Sequence, residues 1–373
     1  MVHHPIKKLD LQDSDSDTCD SDALDGVFNT KYQLLAEKQV VSDESYILHI
    51  HGTGNADFKV AIGATNNLCE IYHFDNNHLL KSETLGILSN TIVGVQFCPD
   101  NNNLLYTASS DANVRLWDLR LSDKLVAQFS DTTIKESQNC RQIISFDISS
   151  NNRLVAAGTE LFEGESFILF WDIRNVKLLG GYWESHTDDV TQVKFNAEDV
   201  NLLMSGSTDG LINIYDLKQP NEDDALMDSF NTESSVEQLL WYSRKGKSCI
   251  CCTTHTADVQ LWQTDAVEPY AHFRRCDIAK EIRRKSEDHC YLVSAHNYIN
   301  DELFILAGSN ENDGECSRAV RTEGKKLIPS FNLKQNKQRV RSSWYNQHHN
   351  ILVTGGENGT LDVWHIDHDK NFS

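Results

Sequence analysis

The sequence predicts an all-β fold built from small antiparallel sheets that must stack on one another. Apolar and polar residues alternate in short runs, and polar turns containing Gly, Asp or Asn separate the runs. One stretch, Glu184–Leu217 (ESHTDDVTQVKFNAEDVNLLMSGSTDGLINIYDL), recurs in outline along the chain. Its strands are expected over Val190–Phe195, Asn201–Ser205 and Leu211–Tyr215, with Ser207-Thr208-Asp209-Gly210 as the turn between the last two. A single such sheet cannot bury both faces, so its copies must bury each other.

The copies are readable. LLYTASSDANVRLWDL ends in Trp117-Asp118-Leu119, FWDI in Trp171-Asp172-Ile173, Cys249–Trp262 in Leu261-Trp262, and ILVTGGENGTLDVWHI in Trp364-His365-Ile366. A strand–turn–strand ending in Trp-Asp resembles the WD-repeat family. That resemblance implies a β-propeller, in which each repeat forms a four-stranded blade. Third-strand anchors at Tyr72, Trp117, Trp171, Tyr215, Trp262, a degenerate site near Ala319 and Trp364 give seven blades. They recur roughly every 45 residues, the period of such repeats. Two longer intervals mark insertions at Leu161–Glu165 and around Asp277–His289. The expected organisation is a tail over residues 1–27, a propeller over 28–367 and a short end over 368–373.

In chain order, Asp10–Asp25 (DLQDSDSDTCDSDALD) is acidic and has little to bury, so the tail is expected to be disordered. Ser14, Ser16, Thr18 and Ser21 each have Asp close downstream and suit an acidophilic kinase. After Trp364 no room remains for a fourth strand. Lys31–Lys38 is therefore expected to pair with Thr360–His365 and close the ring, sparing both a free edge. Fourth strands are expected near Leu79–Thr84, Lys124–Phe129, Lys177–Tyr182, Leu226–Phe230, Pro269–Phe273 and Leu327–Leu333. The sixth blade, Tyr291–Leu333, has Cys316, Arg318 and Val320 where an aromatic anchor belongs.

Net charge is −21 over 373 residues, which disfavours general binding to nucleic acid or anionic membrane. No apolar run approaches the ~18–20 residues that span a bilayer, and MVHHPIKKLDLQ has no signal-peptide core. The ten Cys then read as free thiols, and the location as cytoplasm or nucleus. Basic residues concentrate late: between Arg274 and Arg341 there are fourteen Lys and Arg against ten Asp and Glu, and Arg274-Arg275 and Arg283-Arg284-Lys285 resemble a bipartite nuclear-import signal.

Several constellations could carry chemistry. His186, Ser205 and Asp209 share the residue types of a nucleophile triad, but no Gly-x-Ser-x-Gly elbow supports one. The resemblance implies instead a structural relay of His186, Ser205, Asp209 and Tyr215. Blade two keeps Thr107, Asp111 and Trp117 but offers Leu88 in place of His, so its relay should be incomplete. Cys249-Ile250-Cys251-Cys252 with His255 lacks zinc spacing and reads as packed strand. No catalytic residue, metal ligand or cofactor site is assigned.

The function expected is a non-catalytic scaffold that binds other proteins, monomeric on its own. Loops at one rim present Thr187, Asp188, Thr208, Ser110, Asp111, His255, Glu357 and Asn358. A narrower alternative rests on Trp117-Asp118-Leu119-Arg120 and Trp171-Asp172-Ile173-Arg174. These resemble the motif by which propeller substrate receptors of cullin–RING ubiquitin ligases meet an adaptor, so Arg120 and Arg174 are candidate contacts. A propeller enzyme is the rival from another class.

Overall fold

The computed structural model describes residues 16–18, 20–42, 44–87, 90–122, 124–133, 140–299 and 301–367. The tail through residue 15 (with Ser14), Leu88 and the end at 368–373 lie outside them. Seven four-stranded antiparallel sheets form the ring. Blade four shows the plan. Gln192–Phe195, Leu202–Gly206, Leu211–Asp216 and Leu226–Asn231 pair in sequence order, and Gly210 takes the φ of +86° that the turn needs. Inner strands pack on those of the neighbouring blades, and blade one (from Ile47–Gly52) packs on blade seven (from Val340–Asn346).

The core is seven clusters, one between each adjacent pair of blades. In blades one, three, four and seven the neighbours approach closely because the second strand has Gly at or next to its end. A Cβ at Gly206 would lie 2.6 Å from Val236 Cγ1, and Gly63, Gly158 and Gly355 face Ile92, Val190 and Ile47 in the same way. The cysteines Cys249 and Cys251 fall in the cluster between blades five and six, and Cys252 in that between four and five. The strand Lys247–Thr254 thus buries thiols on both faces, and burial pushes the Cys251 thiol up to about 12.

Closure runs through the N-terminus. Tyr32–Gln39 pairs antiparallel with Thr360–Ile366, from Tyr32 opposite Ile366 to Gln39 opposite Thr360. Leu35 and Ala36 pack into the cluster joining blades seven and one, while Tyr32 and Leu34 pack into that joining six and seven.

The degenerate sixth-blade anchor expected near Ala319 is Val320. It lies opposite Ile305 as Tyr215 lies opposite Leu203, so a short aliphatic chain takes the aromatic's place. The insertion before this blade carries a helix, α3 (Arg275–Glu281). One expectation needs correction. The tail expected to be disordered over 1–27 is ordered where it is described. A helix, α1 (Ser21–Val27), is capped by the Asp20 side chain and buries Leu24, with Phe28 buried beyond it. Ahead of it, Thr18 N–H donates to Arg283 O and Lys285 N–H to Ser16 O, so the segment adds a short bridge to the insertion. Asp17 accepts from Arg318 Nη1 at 2.6 Å and Nη2 at 3.1 Å, and from Arg284 Nη1 at 3.1 Å. Both arginines are buried, so the proposed import signal has one of its cations spent inside the fold.

Partial burial alone would raise the Asp17 carboxyl. The hydrogen bonds and charge of Arg318, then Arg284, outweigh it and hold the pKa below the usual carboxylate range. A depressed folded pKa adds stability above the unfolded pKa, and that stability is lost as pH falls through the folded one. Asp17→Ala is expected to cost about 1–3 kcal/mol at neutral pH, because it leaves two buried guanidinium groups without their carboxylate. Urea melts at pH 7 and at pH 3 check this: the difference should shrink at the lower pH.

Candidate functional site

The residues of the fourth blade meet as a chain of hydrogen bonds. His186 Nδ1 lies 3.0 Å from Asp209 Oδ2, its Nε2 lies 2.6 Å from Ser205 Oγ, and Ser205 Oγ lies 3.3 Å from Tyr215 Oη. Asp209 also accepts from Thr187 N–H and Leu211 N–H, tying the loop ahead of the first strand to the turn after the second. Ser205 and Tyr215 have no exposed surface and His186 is buried, so no substrate reaches the hydroxyl. The chemistry available is the satisfaction of buried polar atoms.

Blade two replaces the His. Asp111 is held by Arg115 through both terminal nitrogens and by Ser109 Oγ at 2.6 Å, while Trp117 Nε1 donates to Thr107 Oγ1 at 2.9 Å. Arg115 belongs to a series that sequence reasoning missed. Two residues before each third-strand anchor stand Glu70, Arg115, Leu169, Asn213, Gln260, Arg318 and Asp362. Six of the seven are polar, and their side chains hydrogen-bond to partners that differ from blade to blade. Glu70 meets Tyr72 and Lys81, Asn213 meets Ser185 O at 2.9 Å, and Gln260 meets Thr232 O at 2.9 Å. The period-two alternation of a strand carried the signal, because these positions share a face with the anchor.

The rim residues divide. Thr187, His255 and Asn358 are exposed; Ser110, Asp111, Asp188, Thr208 and Glu357 are half-buried. Glu357 accepts from Arg341, and Thr208 O accepts from Ser235 Oγ. Several of the expected contacts thus hold loops in place. A notch of about 240 Å³ beside His255 brings in Arg275, Arg339 and Arg341. The ring's central cavity, about 650 Å³, is lined by inner strands. Burial holds its His49 and His51 at about 4 and His296 at about 3, so they are neutral at pH 7. Among the described residues no group of three or more His, Cys, Asp or Glu is placed to hold a metal.

Arg120 and Arg174 follow third strands, at the end of the sheets opposite the rim. Each closes its fork on the Asp of its own motif. Arg120 Nε and Nη2 donate to Asp118 at 2.9 and 2.7 Å, and Arg174 Nε and Nη2 to Asp172 at 3.2 and 2.9 Å. These hydrogen bonds hold both carboxyls at about 2. Arg at the fourth place therefore has a local role, which the sequence argument did not allow for.

Asp362, in the closing blade, is the least satisfied of the series. Its Oδ2 accepts from Gln338 at 3.3 Å, whereas Oδ1 is buried without a partner among the described residues. Burial first, then the charge of Glu37, pushes its carboxyl up to about 7. The folded protein then keeps a proton that the unfolded chain releases near pH ~4, so stability falls as pH rises from ~4 to ~7. Asp362→Asn is expected to remove that slope and to stabilise by about 1–4 kcal/mol at pH 8, checked by denaturant melts across this range.

Comparison with known proteins follows the same repeats. The family described as WD domain, G-beta repeat matches residues 82–118 and 178–216. The chain is 25% identical over 324 residues to the WD repeat-containing protein 89 homolog of Dictyostelium discoideum, covering 86% of this chain and 83% of that one. It is 29% identical over 303 residues to an uncharacterised WD repeat-containing protein of Saccharomyces cerevisiae, covering 76% and 69%. A guanine nucleotide-binding protein subunit beta of Zea mays is 24% identical over 164 residues, 43% of this chain and 41% of that one.

Proposed function

For a chain that carries WD repeats and closes into a seven-bladed β-propeller, we propose the role of a non-catalytic scaffold that binds other proteins from its rim. One observation carries this. The constellation with catalytic residue types, His186–Ser205–Asp209, is sealed inside a blade and consumed by hydrogen bonds. The ring also presents accessible loops at its rim, and loops on rigid scaffolds carry recognition. A relative that is by its name a subunit of a larger assembly agrees with this role. Cytoplasm or nucleus suits a chain with buried strand thiols such as Cys69, Cys249, Cys251 and Cys252.

The narrower role of ubiquitin-ligase substrate receptor gains nothing from the geometry, since the forks that would meet an adaptor are already paired with Asp118 and Asp172. The rim is the better test. Thr187→Arg, His255→Glu and Asn358→Arg together should abolish capture of the protein's interactors from extract while the melting temperature stays within about 2 °C of wild type, as exposed positions allow. Unchanged interactors in the folded triple variant would sink the rim as the binding face. Turnover of a metabolite by purified wild type would sink the scaffold.

A further inference from the structure

On the outer circumference, between blades three and four, lies a groove of about 460 Å³. One wall is the free edge strand Lys177–Tyr182 and the residue after it, Trp183. The other is Leu217, Pro220 and a short helix, α2 (Glu222–Ala225). Phe170 and Tyr182, edge to face at 4.9 Å, line it between the walls.

Three features make it a built surface. First, the edge strand skips a register between Phe170 and Trp171, and this bulge turns Leu179 outward, 55% exposed. Gly180 and Gly181 follow, then Trp183 at 48% exposure, so Leu179–Trp183 carries no charge to guard a free edge. Among the described residues nothing lies within 4 Å of where a Gly180 Cβ would be, which leaves room there for an approaching chain. Second, the walls are tied together. The Glu222 carboxylate accepts from Trp183 N–H at 2.7 Å, Glu184 N–H at 3.0 Å and Ser185 N–H at 2.9 Å. The Asn221–Leu226 linker therefore fixes where Trp183 stands, and an occupant does not have to order it. Third, the charged lining is of one sign: Glu184, Glu222 and Asp223 contribute carboxylates, and among the described residues no Lys or Arg lines it.

We propose that this groove binds an extended segment of a partner protein, carrying a large apolar or aromatic side chain flanked by Lys or Arg. The apolar residue packs between Leu179, Trp183 and Pro220. Its basic neighbours face Glu184 and Asp223, and the segment's backbone can pair along the glycines as an added strand. A second copy of this chain is a poor occupant, because its net charge of −21 opposes an acidic rim. The proposal rests on the scaffold role above and adds a second surface, away from the rim, with its own partner chemistry.

The test uses the full chain. Random dodecapeptides displayed on phage are selected on immobilised wild type and depleted on Leu179→Asp. Enriched sequences should pair an aromatic or Leu with Lys or Arg. Resynthesised with a fluorophore, they should bind about tenfold or more weakly to Leu179→Asp, weaken several-fold on Asp223→Lys and weaken with added salt, at unchanged melting temperature. Acidic enriched peptides, peptides that bind Leu179→Asp as tightly as wild type, or no enrichment at all would overturn the groove. So would a dimer in sedimentation that Leu179→Asp dissolves, which would give the surface to a second copy. The scaffold role stands or falls separately, on whether the rim triple variant loses its interactors.

Discussion

The ladder between Tyr32–Gln39 and Thr360–Ile366 is the contact on which the ring depends. Each blade is a sheet whose two faces are buried only by its neighbours, so an open ring would expose faces as well as an edge. The N-terminal strand serves two inter-blade clusters at once, with Leu35 and Ala36 toward blade one and Tyr32 and Leu34 toward blade six. Its chain neighbours extend the clasp. Asp367 N–H donates to Lys31 O, and Phe28 sits under the Arg318 guanidinium at 5.3 Å. The acidic segment before it seats Asp17 on Arg318 and Arg284. The closing strand is thus held from both sides of its own ladder.

The same economy runs through the blades. A third strand packs its anchor against the preceding blade, as Tyr215 packs on blade three and Trp364 on blade six, and the residue two before it shares that face. That residue is polar in six cases, and each blade satisfies it differently. Blade four uses a neutral amide beside a His–Ser–Tyr relay, blade two an ion pair, and blade six a carboxylate borrowed from roughly 300 residues away in sequence. In blade six the short Val320 stands where an aromatic would, and Arg318 recruits the N-terminal segment. Blade seven leaves Asp362 half-satisfied.

What was legible in the sequence was whatever repeats. Period-two alternation and the Trp-Asp endings gave blade number, strand order and even the closing strand, because an edge left over at Trp364 demanded a donor. The cysteines read correctly as packed strand because alternation alone sends Cys251 and Cys252 to opposite faces. What was not legible is what pairs outside the repeat. Composition marks Asp10–Asp25 as unable to bury itself, and that argument cannot see two buried arginines elsewhere in the chain that need a carboxylate. Arg120 and Arg174 looked free for a partner because nothing in a linear motif reveals a fork folded back on the Asp two residues earlier. The groove by Trp183 was invisible because its walls come from two blades and meet through Glu222, a residue that reads as ordinary linker.

The central claim is that the N-terminal strand is part of the ring and not an attachment to it. Native-state hydrogen exchange across increasing denaturant tests this most directly. The account predicts that the amides of Tyr32–Gln39 and Thr360–Ile366 lose protection together, with the free energy of global unfolding. A separate, lower-energy opening that exposes Tyr32–Gln39 while the seventh blade stays protected would contradict it.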